Sequence, residues 1–381
     1  MNDRMRELDS LRGVAIILVM AFHIFKRAGD FTHNEILNSI TNLTSVGWIG
    51  VDIFFALSGF LITSILLRTK NEKNYYKNFY VRRVLRIFPL YYVTLTIILI
   101  LMPVLDPAFT TKIPSSLPYL LLYMQNWIYI WGHITLTPFL GVTWSLAIEE
   151  QFYFIWPSIV YRTSKETLAK VGIGIIVLSI LARVVGSFLI PNTQAFATFF
   201  YYNTFTRLEE LVLGALLSVA VTYPVWKERL RLIAFPVFLV SLSAFIILCS
   251  ASFPNIIPYY GNVPITIGGF TLVALSSTAL IAIFVTHPER SIIRRLFQGG
   301  VLSFFGKYSY SMYLLHLPVA LLLEAPLWDT RIRGWKMYLT YIVLCYGITI
   351  IGSLLTWNLL EKRILNLKKY FEYKKSNNSP A

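Results

Sequence analysis

The chain has 381 residues, of which 56% are hydrophobic, 15% aromatic and only 14% charged, with a mean hydropathy of +0.61. A soluble globular domain runs near 25% charged, so the composition excludes one; roughly 213 apolar residues are enough for about ten membrane spans of roughly 20 residues each. With 34 Lys+Arg against 19 Asp+Glu, the net charge of +15 fits loops facing an anionic leaflet and argues against a nucleic-acid partner.

Arg4, Arg6 and Arg12 precede the first apolar run, and Lys26, Arg27 and Asp30 follow it without a small-residue cleavage site, which predicts a retained first span rather than a signal peptide. Apolar runs recur at 8–26, 46–67, 84–103, 141–161, 168–190, 204–222, 232–250, 264–286, 301–323 and 337–359, each long enough for a spanning helix. A shorter run at 117–131 follows Pro114, includes Pro118, and contains Gln125 and Asn126, so it reads as re-entrant or interfacial. Ten spans with the N-terminus inside put roughly 26 Lys/Arg residues on the cytoplasmic side and about six outside. Counting 117–131 as a span would expel the basic clusters around Lys227, Arg294 and Lys369. The expected fold is therefore an all-α polytopic bundle of about ten transmembrane helices with both termini cytoplasmic. Residues 1–365 form its single domain and 366–381 a cytoplasmic tail, disordered from about Lys374. Cys249 and Cys345 lie inside apolar runs, which leaves no disulfide framework or zinc cluster.

Ionisable groups that remain inside spans are costly and mark functional positions. In the first span Asp9, Arg12 and His23 share one helix face, and Arg12 and His23 stand roughly 16 Å apart along the axis. An arginine at the inner headgroups then leaves the imidazole past the midplane. His23 is the strongest general-base candidate among five histidines, because a neutral imidazole accepts a hydroxyl proton near pH 7; the plainer reading is a packing histidine bonded to a carbonyl. His316 also falls in a span, whereas His33, His133 and His287 fall in or near loops.

In the fourth span, Thr143 to Tyr153 carries two adjacent carboxylates that cannot share a face. Glu149 lies on the Ser145 face and Glu150 points roughly 100° away. Asp52, near the outer end of the second span, either caps its helix or reaches His23. Glu149 and Asp52 are thus alternative orienters of the base, and Glu149 could instead pair an arginine. The stretch Arg68 to Arg86 carries seven basic residues against Glu72 alone. Within it Arg83 and Arg86 occupy one face, where two guanidiniums can clamp a phosphate, although ordinary positive-inside anchoring gives the same pattern. Arg207 and Glu210, at i and i+3, form an internal ion pair that could also bond a sugar hydroxyl. No P-loop, H-E-x-x-H, G-x-S-x-G or Asp-rich metal motif is present, so no metal site is expected.

The blocks RELDSLRGVAIILVMAFH (Arg6 to His23), GVDIFFALSGFLIT (Gly50 to Thr63), FYVRRVLRIFPLYY (Phe79 to Tyr92), TWSLAIEEQFYFIWP (Thr143 to Pro157), RLEELVLGALLS (Arg207 to Ser218) and FGKYSYSMYLLHLP (Phe305 to Pro318) occur in the order seen in the membrane acyltransferase-3 family. The resemblance covers about residues 6 to 360, and the Arg-x10-His spacing with the WSL-x-x-E-E-x-F-Y block is its distinctive part. It implies a ten-span O-acyltransferase that moves an acyl group, commonly acetyl from acetyl-CoA, to hydroxyls of cell-surface glycans such as peptidoglycan or lipopolysaccharide. By matching position, Arg12 and His23 correspond to the family's Arg-x10-His, Arg83 and Arg86 to its Arg-x-x-Arg, and Glu149 to the carboxylate after WSL. The end of the chain about 20 residues past its last span implies a stand-alone transferase.

The expected mechanism docks the phosphates of acyl-CoA on Arg12, Arg82, Arg83 and Arg86, with Lys77 nearby. His23, oriented by Glu149 or Asp52, then deprotonates a carbohydrate hydroxyl, by direct transfer or through an acyl-enzyme. Trp144, Ser145, Arg207, Glu210 and His316 are the candidate acceptor contacts. The partners are acyl-CoA, the glycan and membrane lipid, and the setting is the bacterial inner membrane. A glycolipid transporter or flippase would use the same ingredients of intramembrane charge and wet cavities.

Overall fold

The computed structural model describes residues 5–32, 34–105, 113–132, 136–253, 256–288, 291–328 and 334–372, and contains no strand among them. The helices in chain order are α1 (Arg6–Gly29), α2 (Glu35–Thr44), α3 (Ile49–Thr69), α4 (Tyr75–Leu105), α5 (Ile113–Leu121), α6 (Asn126–Trp131), α7 (Thr143–Arg162), α8 (Lys165–Leu189) and α9 (Thr193–Tyr202). They continue as α10 (Thr204–Ala220), α11 (Pro224–Ser252), α12 (Phe270–Thr286), α13 (Ile292–Leu296), α14 (Gly300–Lys307), α15 (Ser309–Trp328), α16 (Trp335–Thr356) and α17 (Lys362–Leu365). Side-chain caps start several of them: Asn34 accepts from the Leu37 N–H, Ser164 from Thr167, Asn192 from Ala195 and Asn203 from Phe205. In α1, Glu7 and Asp9 in the first turn and Lys26 and Arg27 in the last complement the helix dipole.

Among the described residues, seven helical stretches are long and apolar enough to cross a membrane: Arg6–Gly29, Glu35–Thr69, Tyr75–Leu101, Lys165–Leu189, Pro224–Ser252, Ile265–Thr286 and Trp335–Phe371. These match seven of the ten expected runs. The other three are α7, α10 and the 301–323 run. Helix α7 carries Glu149 and Glu150, and α10 has only 17 residues, with Arg207, Glu209 and Glu210 among them. The third run breaks at Tyr308 into α14 and α15. Residues 117–131 are not one helix either; α5 and α6 are separated by a break in which Tyr123 takes a left-handed φ of 54°. The tail begins as a 3-10 helix, Asn366–Phe371, held by Arg82, whose guanidinium donates to the Lys368 and Phe371 carbonyls at 3.3 and 3.2 Å. The stretch expected to be disordered, from about Lys374, lies outside the described residues, as do His33 and His133.

Helix α1 is the axis of the bundle, packed on α3, α14, α15 and α16 through buried Leu11, Ala15, Ile16, Val19 and Met20. Large apolar side chains such as Leu178, Val240, Ile247 and Val343 face outward from α8, α11 and α16, the distribution a lipid-facing surface requires. A close crossing joins α3 to α10, where Gly59 lies against the Leu211 backbone and Gly214 against the Ala56 backbone, so neither position has room for a Cβ. Gly59→Val is therefore expected to lower stability by about 3 kcal/mol or more, since backbone rather than a flexible side chain opposes it. Gly174 on α8 has nothing within 4 Å, and Gly174→Val should change stability by no more than about 0.5 kcal/mol. Thermal unfolding of the two purified variants in detergent measures the difference.

Candidate active site

Three cavities lie in sequence along α1. The first, about 830 Å³, opens beside the N-terminal part of α1 and is lined by Arg12, Arg68, Arg86, Lys165, Lys307 and Lys368, with Asp9 and Glu361 the acidic groups in its wall. The second, about 100 Å³, shares Arg12, Arg86 and Tyr310 with the first and adds Arg83, Ser58, Ser145 and Glu149. The third, about 210 Å³, shares Val51 and Tyr313 with the second and is lined by His23, Arg27, Trp48, Trp144, Tyr129 and Tyr202. The series comprises a basic vestibule, a neck lined by both charged and apolar side chains, and an aromatic chamber with the imidazole in its wall, each sharing lining residues with the next.

Helical geometry explains this distribution. Arg12 and His23 sit eleven residues apart on one face of α1, so they meet different cavities on the same side of the helix. Arg12 also approaches Asp9 at 3.7 Å, one turn back. Arg83 and Arg86, one turn apart on α4, both face the neck, and the Arg83 guanidinium lies 5.0 Å from the centroid of Tyr153. Arg82 points elsewhere, onto the tail carbonyls, so the structure separates it from the other two arginines. Lys77 is exposed and lines none of the three cavities.

Glu149 accepts a hydrogen bond from Ser58 Oγ at 2.7 Å and lines the neck with Arg12 and Arg83. Glu150, next in sequence, turns to a different cavity of about 750 Å³ between α4, α7 and α10, whose lining is mostly apolar. The expected division of the two carboxylates between helix faces therefore holds.

The expected partner of His23 needs correction. Neither Glu149 nor Asp52 reaches it. The His23 ring is partly exposed to its chamber, its Nδ1 lies 3.0 Å from the Val19 carbonyl oxygen, and Nε2 of His316 lies 3.2 Å from the same Nδ1. His316, expected to meet the acceptor, is fully buried behind the base. Asp52 is ion-paired with Arg207, whose Nε also lies 3.4 Å from Glu210 Oε1. Beside them Arg183 pairs with Glu209 and donates to Thr271 Oγ1 at 2.9 Å. All five charged groups are buried where α3, α8, α10 and α12 meet, and the Arg207 guanidinium stacks 4.0 Å from the Phe270 centroid. Arg207 and Glu210 line none of the three cavities; they pair with each other, and Arg207 with Asp52, between α3 and α10, apart from the chamber where an acceptor contact is expected. The internal pairing of Arg207 with Glu210 is present as expected.

Trp144 and Ser145 are adjacent on α7 and line consecutive cavities, Trp144 the chamber and Ser145 the neck. Ser145 Oγ lies 2.5 Å from the Tyr313 hydroxyl, and both reach the Val142 carbonyl. Tyr313, which lines both cavities, was not singled out from the sequence, although it stands one turn before His316. Ser58 and Arg27 were missed as well. Each is an ordinary residue for its position, and only the packing of α3 on α7, or of the α1 end on the chamber, shows its place.

The model of the family described as an acyltransferase domain matches residues 5–358. The chain is 29% identical over 349 residues to the peptidoglycan O-acetyltransferase OatA of Listeria monocytogenes, covering 87% of this chain and 52% of that protein. It is 30% identical over 379 residues to YrhL of Bacillus subtilis (strain 168), which carries a provisional peptidoglycan O-acetyltransferase name, covering 94% and 54% of the two chains. A provisionally named O-acetyltransferase of Staphylococcus aureus (strain COL) is 30% identical over 366 residues, covering 93% and 56%. The chain spans about half the length of these curated relatives. No solved structure gives a significant match.

Proposed function

From the premise that this chain belongs to the acyltransferase domain family, we propose that it is a multi-pass membrane O-acetyltransferase. It moves an acetyl group from cytoplasmic acetyl-CoA to a hydroxyl of a cell-envelope glycan of the peptidoglycan type, with His23 as general base. The observation that carries this reading is the line of three cavities from the basic vestibule to the imidazole. In the proposed topology α7, α10 and α15 complete ten spans, both termini face the cytoplasm of a bacterial inner membrane, and residues 117–131 stay re-entrant or interfacial. The vestibule then opens inward, where acetyl-CoA is made, and the chamber lies in the outer half.

The chemistry follows from the order of the cavities. CoA phosphates dock on Arg12, Arg86, Lys307 and their neighbours, and the thioester passes the neck at Glu149 and Ser145. In the chamber the acceptor hydroxyl gives its proton to His23 as its oxygen attacks the thioester carbonyl. The carbon–sulfur bond breaks, and His23 returns the proton to the departing thiolate. Glu149, held by Ser58, balances the charge of Arg12 and Arg83 in the neck instead of touching the base. A glycolipid transporter would use similar cavities but would release no thiol.

The test is purified protein in nanodiscs with acetyl-labelled CoA and a short peptidoglycan oligosaccharide. Thiol release and label transfer that depend on the oligosaccharide support the proposal; neither, with folded protein, removes it. A second expectation concerns the donor: Arg83→Gln with Arg86→Gln should weaken acetyl-CoA binding about 10- to 100-fold, the worth of one or two charge-assisted hydrogen bonds to phosphate. Titration calorimetry with acetyl-CoA measures it, and unchanged affinity would assign both arginines to membrane anchoring.

A further inference from the structure

The mechanism above gives His316 no part, yet His316 makes the only side-chain hydrogen bond to the His23 ring among the described residues. Its own Nδ1 lies 3.0 Å from the Met312 carbonyl oxygen. A carbonyl oxygen only accepts, so the proton of a neutral His316 is on Nδ1, and its Nε2 presents a lone pair. Among the described residues no carboxylate bonds His316 that would compensate a second proton in this fully buried position. Nδ1 of His23 therefore faces two acceptors, the His316 lone pair at 3.2 Å and the Val19 carbonyl at 3.0 Å, and must itself carry hydrogen. The remaining nitrogen of His23, Nε2, is then the basic one.

We propose that His316 is a positioning residue that fixes His23 in its Nδ1–H tautomer and holds the ring at the chamber wall. The proposal rests on His23 being the base. During transfer the acceptor proton moves to Nε2 of His23 and from there to the thiolate, while His316 gains and loses none. The His316 lone pair accepts the same Nδ1–H throughout, and this bond strengthens while His23 is cationic. Acyl-transfer sites commonly give this task to a carboxylate. A second imidazole does it here without placing an anion in the dry contact between α1 and α15, where the neighbouring side chains include Met20, Met312 and Ala320. A histidine present only to fill space would be satisfied by the Met312 carbonyl alone and would have no bearing on turnover.

Two variants and one spectroscopic measurement test this on the full chain in nanodiscs. His316→Phe keeps a planar aromatic ring but offers no acceptor, and His316→Gln places a side-chain carbonyl oxygen where Nε2 was. The expected result is a fall in kcat of about 100-fold or more for His316→Phe with KM for acetyl-CoA unchanged, recovery of at least about tenfold in His316→Gln, and no further loss when His316→Phe is added to His23→Ala. Wild-type kcat in His316→Phe, or equal impairment of the two variants at equal thermal stability, overturns the proposal. Nitrogen NMR of histidine-labelled wild-type protein reads the His23 tautomer without any substitution: a proton on Nδ1 supports the pairing, and a proton on Nε2 overturns it. Turnover retained in His23→Ala would instead defeat the general-base reading and leave the tautomer result standing.

Discussion

Replacing His23 with alanine is expected to lower acceptor-dependent release of CoA thiol by about 10²- to 10⁴-fold, the usual worth of a positioned general base. Acetyl-CoA binding should change little, because the cationic groups proposed for the phosphates line the vestibule and neck, whereas His23 lines the third cavity. The ring is only partly buried and borders open space, so its loss leaves no large void in the packed part of α1. Calorimetric titration, thermal unfolding and thiol release on one preparation separate these effects. Turnover within a few-fold of wild type, with binding and unfolding unchanged, would remove His23 from the chemistry.

Arg207→Ala is expected to cost about 3 to 5 kcal/mol of stability, the range found when one partner of a buried ion pair is deleted. The substitution leaves Asp52 and Glu210 without their shared cation at a crossing closed to water, and removes a guanidinium stacked on Phe270. Replacing the pair together, Asp52→Asn with Arg207→Met, should cost less than Arg207→Ala alone, since less uncompensated charge remains. Yield of folded protein and unfolding temperature in detergent measure both. An unfolding temperature for Arg207→Ala equal to wild type would show that the cluster does not hold α3 to α10.

Much of this was legible before the structure because helical periodicity is local information. The face shared by Arg12 and His23, the pairing of Arg207 with Glu210, the single face of Arg83 and Arg86, and the divergent outlooks of Glu149 and Glu150 all follow from about 100° per residue. Which helix meets which face does not. His316 and His23 lie 293 residues apart in sequence, and nothing in the periodicity of either span says that α15 packs beside α1. The same limit sent Asp52 toward His23, when α10 had already taken it through Arg207. The 301–323 run reads as one apolar segment, yet Gly306 must fit against the Asp9 and Gly13 backbone of α1, and the chain breaks just beyond it at Tyr308. Arg82 was grouped with its neighbours by charge alone, whereas its position on the helix turns it toward the tail.

The boundary between neck and chamber, where Tyr313 lines both, has an electrical side. If the vestibule opens to the cytoplasm and the chamber to the outer face, as proposed, this layer separates the two aqueous phases, and a charge crossing the whole voltage does work of about 2.3 kcal/mol per elementary charge per 100 mV. An acetyl thioester is neutral, and its passage through this layer does no work against the field. In the proposed mechanism the multiply charged nucleotide end of the donor would stay among the vestibule cations, at one potential throughout the cycle, so the rate of transfer need not follow the energised state of the cell.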